Sequence, residues 1–237
     1  MKRNYFNIVF LLMVLLACIL FSKKGISVMK NLFNHKSYNI TVAIDAGHGG
    51  FDPGKVGINN ALEKDINLSI ANKLKSLLEQ NDIKVIMTRK NNKGLYEQSD
   101  QNKKLVDMKK RVEIINSSDS IIAISIHQNS FTQASSRGAQ VFYYQKSDEG
   151  KILAETIQKN MIKSLDDGNH RTAKSNNSYY MLKQTHCPLV IVECGFLSNW
   201  QEANLLCEDY YQKRVAWAIH LGIMEFINNY KKVIKTQ

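Results

Sequence analysis

Two histidines and two carboxylates fall where chemistry could be done. His48 lies in the turn Gly47-His48-Gly49-Gly50, directly after a short β-branched run, and His127 follows the apolar run 121–126. Glu193 follows the run 189–192, and Glu63 lies beyond the His48 turn. Two neutral imidazoles and one carboxylate are common protein donors to a catalytic zinc, whose fourth tetrahedral position is left for water. Such an ion brings the pKa of that water toward about 7. A further carboxylate is needed to take the proton and hand it to a leaving nitrogen. Four groups therefore match two histidine ligands, one carboxylate ligand and one carboxylate base. The residue types leave open which carboxylate has which part.

Each residue also has a simpler use. His48 could tolerate an odd backbone in a glycine-rich turn, and His127 could be a hydrogen-bonded core histidine. Glu63 stands three residues after Asn60, as in a helix capping box. Glu193 is hardest to explain otherwise, because carboxylates are rarely buried without a partner. Convergence carries the reading. The remaining histidines add little: His35 precedes the folded part, His220 falls in the last helix, and His170 and His186 are expected in surface loops.

For the four groups to meet, strand ends must be gathered at one edge. Strands are predicted at 40–44, 83–87, 121–126, 139–144 and 189–192. Helices are predicted at 60–80, 104–116, 149–165 and 208–230. The first helix carries Ile66, Ile70, Leu74, Leu77 and Leu78 at helical spacing. Strands without polar alternation, separated by helices, indicate an α/β fold with a largely parallel sheet and helices on both faces. In such a sheet the site forms at the carboxyl ends of the strands. The glycine loop is not a dinucleotide fingerprint, because Phe51-Asp52-Pro53-Gly54 follows it where a helix should open.

The chain has 237 residues, 44% of them hydrophobic, which suits one folded domain plus a targeting segment. Its net charge of +11 favours anionic partners. No zinc-finger spacing, aromatic RNA-binding motif or arginine-rich helix accompanies that charge, so nucleic acid is not expected. Cys18, Cys187, Cys194 and Cys207 show neither metal-knuckle spacing nor a disulfide framework. Lys2 and Arg3 precede an apolar run from Ile8 to Phe21, after which Lys23 and Lys24 restore charge. Residues 1–24 thus read as a signal peptide or signal anchor. Residues 25–39 read as a tether, 40–230 as the catalytic domain and 231–237 as a tail. The protein is expected to be exported across the cytoplasmic membrane, secreted or anchored, touching the membrane only through its N-terminal segment.

The stretch Ala43-Ile44-Asp45-Ala46-Gly47-His48-Gly49-Gly50, then Asp52-Pro53-Gly54 and Glu63-Lys64, resembles the opening motif of the zinc N-acetylmuramoyl-L-alanine amidases of type 3. Ile124 to Ser130 resembles that family's second histidine motif, and Val190 to Asn199 its terminal glutamate motif. Arg111 with Asn116, and Tyr179 to Lys183, are also similar to it. The resemblance implies an open twisted sheet and one Zn2+ per chain on His48, Glu63 and His127, with Glu193 as catalytic acid/base. It implies that peptidoglycan is cut between N-acetylmuramic acid and L-alanine. The family's usual proline is here Ala46, and Cys194 follows Glu193. Cys194 is expected to pack in the core, and Gly195 to need an unusual backbone or close approach.

The chain is short and carries no wall-binding repeats, which makes it most similar to the germination-specific amidases of endospore formers. That likeness implies work on the spore cortex, in muramic-δ-lactam formation and germination, with the forespore intermembrane space as the location. No substrate-binding residue is assigned. An exported activator protein is expected, with polar stretches 91–103 and 166–178 as candidate contacts. The competing readings are a zinc peptidase or deacetylase on another wall bond, and an inactive wall-binding protein; the intact quartet speaks against the latter.

Overall fold

The strands are β1 (Thr41–Ala46), β2 (Lys84–Met87), β3 (Ser120–Asn129), β4 (Gln140–Tyr143), β5 (Lys174–Ser175) and β6 (Leu189–Phe196), and runs rich in valine and isoleucine build the central β1, β3 and β6. The computed structural model describes residues 5, 9–16, 18, 19, 21, 40–165 and 168–235, the last six as backbone alone. The strands form one open sheet in the order β2-β1-β3-β6-β4-β5. β2, β1, β3 and β6 are parallel neighbours, whereas β4 runs antiparallel to β6 and carries β5 alongside it. The helices are α1 (Glu63–Glu79), α2 (Lys103–Asn116), α3 (Asp148–Leu165), α4 (Tyr180–Gln184), α5 (Trp200–Leu205) and α6 (Asp209–Lys235).

Alternation along the strands separates two cores. Val42, Ile44, Ile122, Ile124, Ile126, Val190, Val192 and Cys194 face α1, α3 and α6 in the larger one. Ala43, Ala123, Leu189 and Ile191 face Val112 and Ile115 of α2 and Met181 and Leu182 of α4 in the smaller. The largely parallel sheet with helices on both faces is as expected, and Cys194 packs in the larger core as expected.

Several bounds differ from the reading of the sequence, each for a local reason. α1 begins at Glu63, not Asn60, because Asn60 takes a positive φ of 65° in a turn closed by Asn60 N donating to Gly57 O at 2.8 Å. Leu62 is then the N-cap, so Asn60 and Glu63 form no capping box. β3 and β6 extend beyond their apolar runs to Asn129 and Phe196, so His127 and Glu193 lie inside strands and not after them. Gly195 lies inside β6 without positive φ, and a Cβ there would meet Leu206 Cδ1 at 3.2 Å, a tight contact and not a prohibitive one.

Met1–Tyr38 and Asn39–Gln237 form separate compact units. The described residues of the first are helical and exposed. No helix among the described residues is long and apolar enough to cross a membrane. The tether 25–39, His35 and the flanking charges Lys2, Arg3, Lys23 and Lys24 lie outside the described residues. α6 continues to Lys235, through most of the stretch read as a tail.

Candidate metal centre

Period-two alternation also places the polar residues. Asp45, Ser125, His127 and Glu193 share the face of Ala43, Ala123 and Ile191, and register pairs Asp45 with Ser125 and His127 with Glu193. Two candidate residues are thus neighbours by strand pairing alone. His48 arrives from the loop after β1 in a left-handed conformation, φ 63°. Glu63 reaches over the sheet edge from the first position of α1.

The loop carrying His48 is clamped by two arginines. Arg89 Nε and Arg111 Nη1 each donate to Ala46 O at 2.7 Å, Arg89 Nη2 donates to Gly47 O at 3.0 Å, and Arg111 Nη2 donates to His48 O at 2.6 Å. Arg111 is held in turn by Asp45, whose carboxylate also accepts from Thr88 and Ser125 at 2.6 Å. These contacts keep the Asp45 carboxyl well below the usual range despite complete burial. Gly47 is required by close approach, since a Cβ there would lie 2.2 Å from the His127 ring.

His48, Glu63 and His127 each bring one ligand atom to a common point, all within 4.8 Å of one another. Glu63 Oε1 lies 3.0 Å from His127 Nδ1 and 3.2 Å from His48 Nε2. It also accepts from Gln128 N at 3.1 Å, while Oε2 accepts from Lys55 N at 2.7 Å. Burial would raise the Glu63 pKa, but these partners hold it well below the carboxylate range. Burial would likewise lower that of His127, yet Glu63, Glu193 and Asp45 raise it to about 8. No lysine or arginine pairs with the ionised Glu63 among the described residues. A buried carboxylate between two imidazole nitrogens is a donor set that fits a zinc-like cation.

Asp52 completes the arrangement. Its Oδ2 lies 2.9 Å from His48 Nδ1, which leaves Nε2 facing the convergence point. Such a carboxylate behind a histidine fixes tautomer and ring orientation. On α1, Asn67 Nδ2 donates to Gly47 O at 3.1 Å and to Glu63 Oε1 at 3.4 Å, and Asn67 Oδ1 accepts from Gln128 Nε2 at 3.1 Å. Asp52 and Gln128 stood out in the sequence only as members of motifs, and Asn67 and Arg89 not at all. A signal existed for Asn67, which stands four residues after Glu63 beside the apolar stripe of α1.

Glu193 faces the same cleft. Its Oε2 is buried and has no hydrogen-bond partner among the described residues. Burial pushes its carboxyl up to about 7, with His127 opposing and Glu63 adding to the shift. The cleft, about 140 Å³, is lined also by Phe51, Tyr96, Met108, Tyr179 and Tyr180. His170 and His186 are exposed and do not line it, and His220 is buried in α6, away from it.

Residues 42–225 match the family described as N-acetylmuramoyl-L-alanine amidase. The germination-specific N-acetylmuramoyl-L-alanine amidase of Bacillus subtilis (strain 168) is 36% identical over 188 residues, covering 78% of each chain. The CwlD amidase from Clostridioides difficile, solved in complex with the GerS lipoprotein, is 39% identical with a TM-score of 0.78, covering 80% of this chain and 99% of that one. The catalytic domain of CwlV from Bacillus (Paenibacillus) polymyxa var. colistinus is 30% identical with a TM-score of 0.70, covering 80% and 98%. The family match runs through every segment that carries a candidate residue, and the chain therefore belongs to the N-acetylmuramoyl-L-alanine amidases, hydrolases that act on peptidoglycan.

Proposed function

We propose that His48, Glu63 and His127 hold one zinc ion and that Glu193 is the acid/base that cuts the N-acetylmuramic acid–L-alanine bond. The observation that carries this reading is the unpartnered, buried Oε2 of Glu193, a residue that lines one cleft with His48 and His127 of the converging triad. Zinc, when bound, supplies Lewis-acid chemistry, lowering the pKa of water and stabilising negative charge on an amide oxygen.

The chain's own residues do the rest. Glu193 takes a proton from the attacking water and returns it to the departing alanine nitrogen. Burial raises the carboxyl above its ordinary value in the metal-free site, a setting that suits a group that must take a proton and then give it up. Asp52 keeps the His48 ring turned toward the triad, and the arginine clamp holds the loop beneath it. A covalent route through a side chain has no support: Cys194 packs on the opposite face, and the Ser125 hydroxyl is committed to Asp45. Digestion of purified peptidoglycan followed by mass spectrometry tests this. New free L-alanine amino termini on intact glycan strands are expected, whereas cuts within the stem peptide would overturn it.

The biological setting is the spore cortex, in muramic-δ-lactam formation and germination. The germination-specific relative and the CwlD likeness support this setting. Residues 1–24 act as a signal peptide or anchor, 25–39 as a tether and 40–230 as the catalytic domain, so the enzyme works outside the cytoplasmic membrane. An exported protein raises its activity, as supported by the lipoprotein found with the Clostridioides difficile amidase. The stretch 91–103 is its preferred contact. Asn92 O accepts from Gly50 N at 2.7 Å and Tyr96 Oη from Phe51 N at 2.8 Å, so a partner there bears directly on the His48 loop. Full turnover by the purified, zinc-saturated chain, unchanged by extracts of the producing cell, would count against an activator.

A further inference from the structure

The cleft beside the triad has two permanent cations among its described lining residues, Arg111 and Lys104. Arg111 is 3% exposed and its guanidinium is spent on Asp45, Asp107 and the carbonyls of Ala46 and His48. Lys104 is different. Its side chain is 59% exposed, and its ammonium lies 3.4 Å from Asp52 Oδ2, longer than a good N–H···O bond. That same oxygen holds His48 Nδ1. One carboxylate oxygen thus separates a solvent-facing ammonium from the ring of a triad histidine. The neighbouring Lys103 is otherwise engaged, with Nζ 5.7 Å from the centre of the Tyr96 ring.

The substrate offers this cation one natural partner. On the sugar side of the scissile bond the lactyl carboxyl is already an amide and carries no charge. On the peptide side, the residue after L-alanine bears the first free carboxylate. An extended peptide advances ~3.3–3.6 Å per residue, so that carboxylate falls within the reach of a group two contacts from His48. We infer that Lys104 is a specificity-determining residue that pairs with the free α-carboxylate of the stem-peptide residue following L-alanine. This assignment rests on the amidase reading. It gives the cleft a polarity, with the peptide leaving past the N-terminal turn of α2 and the sugar on the other side of Glu193.

The test uses the zinc-loaded full-length chain and two muramoyl peptides that differ only in whether this α-carboxylate is free or amidated. The wild type is expected to favour the free acid in kcat/KM by roughly fivefold to tenfold, mostly through KM and less at high salt. Lys104→Met should bring the ratio to about one, and Lys104→Arg should keep it, a pattern that general loss of fold would not produce. A ratio of one in the wild type, or an unchanged ratio in Lys104→Met, overturns the assignment and leaves the amidase activity standing. Release of L-alanine amino termini from neither substrate would instead overturn the activity, and this assignment with it.

Discussion

The Asp45 carboxylate and the Arg111 guanidinium, on β1 and α2, meet at 2.7 Å in the interior beneath the His48 loop. Both are almost wholly buried, so each is the other's main compensation for lost water. Arg111→Met should leave Asp45 charged and unpaired, and lower stability by about 3–5 kcal/mol. Urea unfolding measures it. Arg111→Lys should rescue only part, since an ammonium cannot serve Asp45, Asp107 and two carbonyls at once. Equal stability of wild type and Arg111→Met would remove the pair from any role in holding the loop.

Metal content should separate the triad from the base. His48→Ala and His127→Ala should lose bound zinc, while Glu193→Gln keeps it and loses turnover by about 10²–10⁴-fold. Elemental analysis of the purified variants decides this. A folded Glu193→Gln protein without metal would make Glu193 a ligand and leave the base unassigned.

Glu193 should cost the metal-free protein stability at high pH. Its folded pKa of about 7 lies above the ordinary 4.5, so the native state keeps a proton that the unfolded chain releases. The native state is therefore favoured less and less as pH rises from about 4.5 through about 7, and the full penalty remains above that. Glu193→Gln, which never ionises, should match the wild type near pH 5 and exceed it near pH 8 by about 3 kcal/mol. Thermal unfolding in chelator at the two pH values tests it, and identical curves at pH 8 would show that Glu193 ionises there without strain.

Asp52 should matter to zinc without touching it. Asp52→Asn removes the charge behind His48 Nδ1, and zinc affinity should fall by about 10–100-fold while the fold survives. Competition with a chromophoric chelator gives the affinity, and unchanged far-ultraviolet circular dichroism controls for folding. An unaltered affinity would reduce Asp52 to a turn residue that bonds Gly54 N.

Strand ends and residue types were enough to bring His48, Glu63, His127 and Glu193 to one edge from the sequence. What stayed hidden depends on contacts between distant segments. The clamp of Arg89 and Arg111 on the carbonyls of residues 46–48 leaves no local pattern, because each partner lies more than forty residues away. β3 runs on through His127, Gln128 and Asn129 and β6 runs on from Glu193, and a polar residue ends an apolar run, so the runs could not announce these extensions. β4 gave its position but not its direction, since alternation is the same whichever way a strand runs. Tyr180–Gln184 and Trp200–Leu205 are too short for helical periodicity to register.

The face of the sheet that carries the reacting groups is also the one with the smaller apolar core, covered by α2 and the single-turn α4. The other face lies under three long helices. Opening free energies follow such differences in burial, so the two sides need not come apart together. Amide protons of α4 should exchange with solvent ahead of those in β1, β3 and α6. Warming would then end catalysis by loosening one wall while most of the molecule remains folded, and the temperature at which activity halves should lie below the calorimetric midpoint.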